Sequence, residues 1–230
     1  MHESVVFLAK MDDPAANLAV PAGIPASLGR RARQHELGRA LALAALRQLG
    51  ASGVALSADS PPRLLGTTGR ARSVSISHRG SWVAALASSA EAAGVDLEVG
   101  KARDYEAALE LFLSAPEQAW LQRRSELTAA QRFYRAWTLK EALGKRAGRG
   151  WDSQAEDLDL VRAAGGDAPF GGHLEWPERQ LTLAVALSVP HSRLRLYDCS
   201  AGAPRLLGLP FLDWRAGYAA AATHPPEQEG

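Results

Sequence analysis

An α+β fold built from two helix-plus-meander lobes is what the sequence predicts, and three observations carry it. Short apolar or alternating runs bounded by turn residues recur in both halves of the chain. Alanine- and leucine-rich stretches with helical character lie between them. The run WVAALASS (82–89) is echoed by LTLAVALS (181–188), as two similar units would require. A boundary after residue 103 separates an N-terminal lobe, 1–103, from a C-terminal lobe, 104–230.

The elements follow in order. SVVFLAKM (4–11) is a short apolar strand, and PAGIPASLG (21–29) is a Pro/Gly-rich loop. RRARQHELGRALALAALRQLG (30–50) is a helix that Gly50 ends. SADSPPRLLGTTGRAR (57–72) carries too much Pro, Gly and Ser for a regular element. SVSISH (73–78) alternates and reads as a strand, WVAALASS as its hairpin partner after the turn RGS, and VDLEV (95–99) as a third strand after SAEAAG. Together these three predict an antiparallel meander. In the second half YEAALELFL (105–113) is a helix, and SAPEQAWLQRRSEL (114–127) opens with a helix-start signal. TAAQRFYRAWTLKEALGKRA (128–147) is the strongest helix, with Thr128 as cap and Gly148 as stop. LDLV (158–161), GGHLEW (171–176), LTLAVALSV (181–189) and RLRLYD (193–198) read as strands. LLGLPFLDWRAGYAAAA (206–222) is a candidate last helix, and HPPEQEG (224–230) is frayed.

Composition bounds the function classes. A chain of 230 residues, 47% hydrophobic and 22% charged, can bury a substantial core. Its net charge of +1 creates no field that calls for nucleic acid. The single cysteine, Cys199, forms no intrachain disulfide and no zinc set, which fits a reducing compartment, and its plainest role is a small buried apolar group. The N-terminus has no secretory signal pattern and no run is long enough to span a bilayer. A cytoplasmic protein is expected.

Three stretches carry candidate chemistry. In GVDLE (94–98) the two-residue strand period puts Asp96 and Glu98 on one face, about 7 Å apart. Such a pair is either an ordinary solvated acidic face or an oxygen-rich site for a hard dication such as magnesium. On the helix, Phe133, Trp137, Glu141 and Lys145 share a stripe. Glu141–Lys145 is then either a surface pair worth about 0.3–0.5 kcal/mol, or a carboxylate drawn toward the buried side beside a lysine. The chain has four lysines, and Lys140 and Lys145 flank this glutamate. An ammonium can meet one phosphate oxygen as a point charge and can also release a proton, which a guanidinium does not usefully do. Third, Ser77 and His78 end a strand at a turn, where they either serve the hairpin or donate to phosphate oxygens. Upstream, Arg30, Arg31, Arg33 and Arg39 form either a solvated helix face or a clamp for a terminal phosphate.

SISH (75–78), GVDLE (94–98) and WTLKEALGKRAGRG (137–150), in that order, resemble the 4'-phosphopantetheinyl transferase superfamily, in its two-lobed Sfp-like form. The resemblance covers roughly residues 20–155. It implies two similar lobes, each a small antiparallel sheet packed with a helix, in pseudo-twofold arrangement around a shared site. It implies transfer of the phosphopantetheine arm of coenzyme A to a serine of an apo acyl or peptidyl carrier protein, by one chain acting as a monomer, in fatty-acid or secondary metabolism. By motif position Asp96, Glu98 and Glu141 are the magnesium ligands. Glu141 takes the serine proton, Lys145 contacts the diphosphate, and Ser77 and His78 contact phosphate. Arg31 and Arg39 fall where the family binds the 3'-phosphate of coenzyme A, and Gly69 and Arg70 where it meets adenine, with Ala71 in place of the family's proline. Glu117, in SAPEQAWL, matches a supporting glutamate.

Overall fold

The first strand forms where the apolar run predicts it: β1 spans Glu3–Lys10 and is buried from Ser4 to Ala9. In the computed structural model, which describes residues 2–11, 28–66, 69–124, 126–148, 160–163, 170–188, 193–200, 204–208 and 212–213, β1 leads to the helix α1 (Arg30–Gln48). Gly50 follows that helix at φ 76°, in the left-handed region where a Cβ is unfavourable. β2 (Ala55–Leu56) pairs with β3 (Leu64–Leu65), so the segment expected to be wholly irregular contains a small two-stranded ladder. β4 (Ser73–Arg79), β5 (Trp82–Ser88) and β6 (Ala93–Val99) fall on the three predicted strands.

β4 and β5 form the expected hairpin, but the meander does not continue. β5 has its two edges taken by β4 and by β1, so no ladder position is left on it for the third strand. β6 instead crosses to a second sheet and pairs with β8. In the second half come α2 (Tyr105–Phe112), α3 (Ala115–Gln122), α4 (Ala129–Arg146) and a four-residue α5 (Leu160–Ala163). β7 (Phe170–Trp176), β8 (Leu181–Leu187), β9 (Arg193–Asp198), β10 (Arg205–Leu207) and β11 (Leu212–Asp213) complete the described elements. The first sheet has the order β10-β9-β1-β5-β4 and the second β11-β7-β8-β6. Each sheet therefore takes strands from both sides of residue 103, and neither follows the division into 1–103 and 104–230. The first sheet is not wholly antiparallel either, because β1 and β9 pair in parallel.

Packing orders these pieces in layers. Val5, Phe7 and Ala9 of β1 with Val83, Ala85 and Ala87 of β5 face Leu37, Leu41 and Ala45 of α1. Val6, Leu8 and Leu86 on the opposite face meet Val95, Leu97, Leu183 and Val185 of the second sheet. The far face of that sheet presents Ala184 and Ala186 to Phe133, Leu139 and Leu143 of α4. The sequence α1, sheet, sheet, α4 is an α+β architecture in which each sheet has its own helix. It also accounts for the echoed runs. β5 and β8 are interior strands buried on both faces, and each turns alanines toward its helix, where small residues let the backbones close up.

Two expectations in the second half change. Leu160 and Val161 of LDLV lie in α5, not in a strand; Leu158 and Asp159 are outside the described residues. The Leu160 N–H donates to Glu117 Oε1 at 2.9 Å, a bond made to a helix-start amide. In the tail, Leu206, Leu207, Leu212 and Asp213 are in β10 and β11 where a helix was expected, because β10 adds to the β9 edge and β11 to β7. Residues 209–211 and 214–222, and all of PAGIPAS and HPPEQEG, lie outside the described residues. Cys199 is fully buried, with burial pushing its thiol up to about 12, as expected for an inert apolar filler. Among the described residues no helix is long and apolar enough to cross a membrane.

Beneath α4, His173 of β7 is fully buried and its Nε2 donates to the Arg135 carbonyl at 2.7 Å. Burial lowers its pKa from 6.5 to about 4. Between those values the unfolded chain takes up a proton that the folded chain refuses, so stability falls as the pH drops through this window. The loss amounts to about 3 kcal/mol by pH 4. Denaturant midpoints measured from pH 7 to pH 4 should show it, and His173→Gln should flatten that slope; an unchanged slope in the variant would exclude His173 as its source.

Candidate active site

The site is assembled at the junction of the two sheets. β4 is the edge of the first and β6 the edge of the second, and the serines of SVSISH join them. Ser75 Oγ accepts from Val95 N at 3.1 Å and Ser77 Oγ accepts from Leu97 N at 3.3 Å. Hydroxyls two apart on β4 thus satisfy amides two apart on β6, a side-chain substitute for a backbone ladder. Ser77 also donates to Asp96 Oδ1 at 2.7 Å.

α4 supplies the opposite wall. Its start is fixed by a capping box, Thr128 Oγ1 accepting from Gln131 N at 3.2 Å and Gln131 Oε1 from Thr128 N at 3.1 Å. Gly148 ends it at φ 69°, as predicted. Phe133, Leu139 and Leu143 are buried in the core, which leaves the i, i+4 stripe Trp137–Glu141–Lys145 along the cleft. The wall stands close because β6 carries Gly94 beneath α4. A Cβ there would overlap the Ala142 carbonyl oxygen and come within 2.6 Å of Arg146 N.

The result is a cleft of about 340 Å³ lined by Ser77, His78, Arg79, Asp96, Glu98, Trp137, Glu141 and Lys145. Lys145 Nζ donates to Asp96 Oδ1 at 2.7 Å. Arg79 Nε lies 2.8 Å from Glu98 Oε2, an ion contact off the axis of a good hydrogen bond. The Trp137 side chain also hydrogen-bonds Glu98. Burial raises the pKa of Glu98, opposed by Arg79 and helped by the Asp96 charge; burial and the Asp96 charge raise that of Glu141, opposed by Lys145. His78 titrates below its ordinary value, first through burial and then through the Lys145 charge, so it presents a neutral imidazole near pH 7.

Three carboxylates in one cleft, with the Asp96 charge helping to raise the pKa of Glu98 and of Glu141, are all oxygen donors and suit a hard dication. Asp96 adds a specific reason: it is 6% exposed, and its Oδ2 accepts no hydrogen bond. As the side chains stand, no three His, Cys, Asp or Glu among the described residues are grouped to hold a metal ion. Lys145 and Arg79 occupy Asp96 and Glu98 instead. The donor set therefore fits a divalent ion in chemistry, while two internal cations face it.

A second cavity, about 290 Å³, shares Ile76, His78 and Lys145 with the first and continues past His35, Arg39 and the Pro61–Pro62 pair. Arg39 reaches this cavity but spends its guanidinium on backbone, donating to Ser57 O at 2.7 Å and Leu56 O at 2.9 Å. Arg31 on α1, and Gly69 and Arg70 between β3 and β4, are exposed and line neither cavity. Ser77 faces the cleft with its hydroxyl already engaged by Asp96 and Leu97. A further cavity, about 410 Å³, lies away from all these motifs, beside Tyr105, Tyr134 and Thr182.

Glu117 and Lys140 are not in the cleft. Lys140 Nζ donates to both Glu117 oxygens, at 2.8 and 2.9 Å, with the two side chains 3% and 2% exposed. Glu117 also accepts from Ser114 N and Leu160 N. The pair ties α3, α4 and α5 together, so the lysine beside Glu141 has a structural task. Lys140→Ala leaves a buried carboxylate without its cation and should cost about 3–5 kcal/mol. Urea denaturation checks this, and combining it with Glu117→Gln, which removes the stranded charge but keeps an oxygen for the Ser114 and Leu160 amides, should restore part of the loss; a single-variant cost under about 1 kcal/mol would mean that the pair is solvated.

Residues 92–187 match the 4'-phosphopantetheinyl transferase superfamily. That is the superfamily the three motifs resemble, and the matched stretch runs from the turn before β6 to the end of β8, holding GVDLE and WTLKEALGK. A Haemophilus influenzae protein described as "Putative 4'-phosphopantetheinyl transferase" is 35% identical over 79 residues. That alignment covers 33% of this chain and 33% of the relative, so the chain spans about a third of the relative it matches. SISH and the arginine cluster lie before residue 92, and the structure, not the match, brings Ser77 and His78 to Asp96.

Sequence reasoning missed two members of the cleft, Arg79 and the Trp137–Glu98 bond. Arg79 was findable, since the strand period that places Ser75 and Ser77 on one side of β4 continues to it. Nothing local linked Lys140 to Glu117, 23 residues away.

Proposed function

We propose that the protein is a two-lobed phosphopantetheinyl transferase that moves the 4'-phosphopantetheine arm of coenzyme A to a serine of an apo acyl or peptidyl carrier protein. The observation that carries the reading is the convergence of Asp96 and Glu98 from β6 with Glu141 and Lys145 from α4 in one cleft, with Ser77 and His78 on its third side. The superfamily match supports the reaction class.

Asp96, Glu98 and Glu141 are the side chains that would hold a magnesium ion, which when bound offsets the diphosphate charge that repels a nucleophile. Lys145 stands where the two cavities meet and neutralises the departing adenosine 3',5'-bisphosphate. His78 borders the same two cavities and offers a neutral N–H to a phosphate oxygen. Glu141, whose pKa is raised by burial and by the Asp96 charge, accepts the carrier serine's proton. The serine oxygen then forms a bond to the β-phosphorus as the diphosphate P–O bond breaks, a displacement governed by positioning and charge. Ser77 acts as a positioning residue through Asp96. Coenzyme A's remaining phosphate and base would lie in the second cavity, with Arg39 at its wall and Arg31 outside it. A monomer in the cytoplasm is the corresponding state.

A relative that only binds coenzyme A is the competing reading; the presence of all three carboxylates and Lys145 favours catalysis. Incubating a panel of purified apo carriers with the protein, coenzyme A and magnesium decides between them by mass spectrometry. Gain of one phosphopantetheine group on the carrier serine is expected. Coenzyme A binding with no mass gain on any carrier would leave the binding-only relative.

A further inference from the structure

β4 contributes every second residue to the junction with β6: Ser75 meets Val95, Ser77 meets Leu97 and Asp96, and Arg79 meets Glu98. Ser75 and Ser77 bring no charge of their own and tie the sheets. The third contact puts a full positive charge 2.8 Å from an oxygen of the cleft, with the Glu98 side chain 11% exposed and the Arg79 side chain 41% exposed. The guanidinium thus comes in from the solvent side onto a largely buried carboxylate.

We propose that Arg79 is a positioning residue that competes with a divalent ion for Glu98 and so weakens the cleft's affinity for that ion. The inference rests on the transferase reading of the cleft, in which Glu98 is one of three ligands. A cation in contact with a carboxylate neutralises most of the charge an incoming ion would use, and in a half-buried setting that attraction is little screened. Lys145 does the same at Asp96 through Oδ1, but Asp96 keeps Oδ2 free of hydrogen bonds. At Glu98 the contact is with Oε2, which has no other bond to hold it back from an ion. Removing the Arg79 charge therefore strengthens the site, whereas removing Lys145 would also take away a diphosphate contact.

The test titrates manganese into the full-length protein without coenzyme A by calorimetry, so that it reads binding and not turnover. Arg79→Ala should bind the ion about tenfold more tightly than the unchanged protein, and Arg79→Lys, which keeps a charge, should stay near it. Arg79→Gln serves if the alanine variant loses its native circular dichroism. Unchanged or weaker binding in the neutral variants, with binding abolished by Asp96→Ala, overturns the role of Arg79 and leaves the carboxylate site standing. Binding that is absent throughout, or that survives Asp96→Ala, overturns that site and the Arg79 role with it.

Discussion

Replacing Glu141 by glutamine should lower kcat/KM for carrier modification by at least about 10³-fold while leaving the protein folded. Two losses combine: the acceptor for the serine proton, and one of three negative charges that would hold a dication. The neighbourhood predicts the opposite sign for stability. Glu141 is half-buried and repelled by Asp96, with Lys145 already bonded to Asp96 Oδ1. A neutral amide of the same shape relieves that repulsion, so the thermal midpoint should hold or rise, the pattern of a residue kept for function at the expense of stability. Asp96→Ala should abolish transfer as fully, but it also strands Ser77 and Lys145. Because the Glu141 pKa is raised, transfer by the unchanged protein should increase with pH as that carboxylate ionises, and the increase should vanish in the residual activity of the variant. Near-normal transfer by Glu141→Gln would remove the residue from the site.

Gly94→Val should prevent the native packing of α4 on β6. A side chain there meets the Ala142 carbonyl and the Arg146 amide, which are backbone groups of a helix and have no rotamer to yield. Ordinary overpacking costs about 1–3 kcal/mol; displacing a whole helix from its sheet competes with the about 5–15 kcal/mol that a domain has in total. The expected outcome is insoluble protein, or a soluble form whose denaturant midpoint collapses and which has lost the cleft, since Glu141 and Lys145 would be moved off Asp96. Gly94→Ala is the milder probe and should lie between the two. A valine variant with an unaltered midpoint would mean that α4 stands further from β6 than the structure has it.

These two predictions also separate what could be read locally from what could not. The strand at VDLEV and the helix over 129–146 follow from residue period and capping alone, and so does the shared face of Asp96 and Glu98. The stripe Trp137–Glu141–Lys145 follows from 3.6 residues per turn. The glycine of GVDLE was legible as a motif letter, yet its reason, a helix backbone in contact, appears only once α4 is laid on β6. Likewise SISH announced a strand and turn, while the hydroxyl bonds to Val95 and Leu97 depend on two sheet edges meeting.

Local pattern thus determined β1, β4 to β9 and α1 to α4, and which polar side chains share a face, because both depend on backbone geometry over a few residues. Tertiary structure decided which strand edges pair. It sent β6 to the second sheet because β1 had filled the place beside β5, turned LDLV into a helical turn beside Glu117, and gave Lys140 to a buried carboxylate and Arg79 to Glu98. Edge pairing and charge pairing join residues far apart in the chain, and the free energy that selects among such partners comes from burying whole faces, which no short stretch of sequence contains.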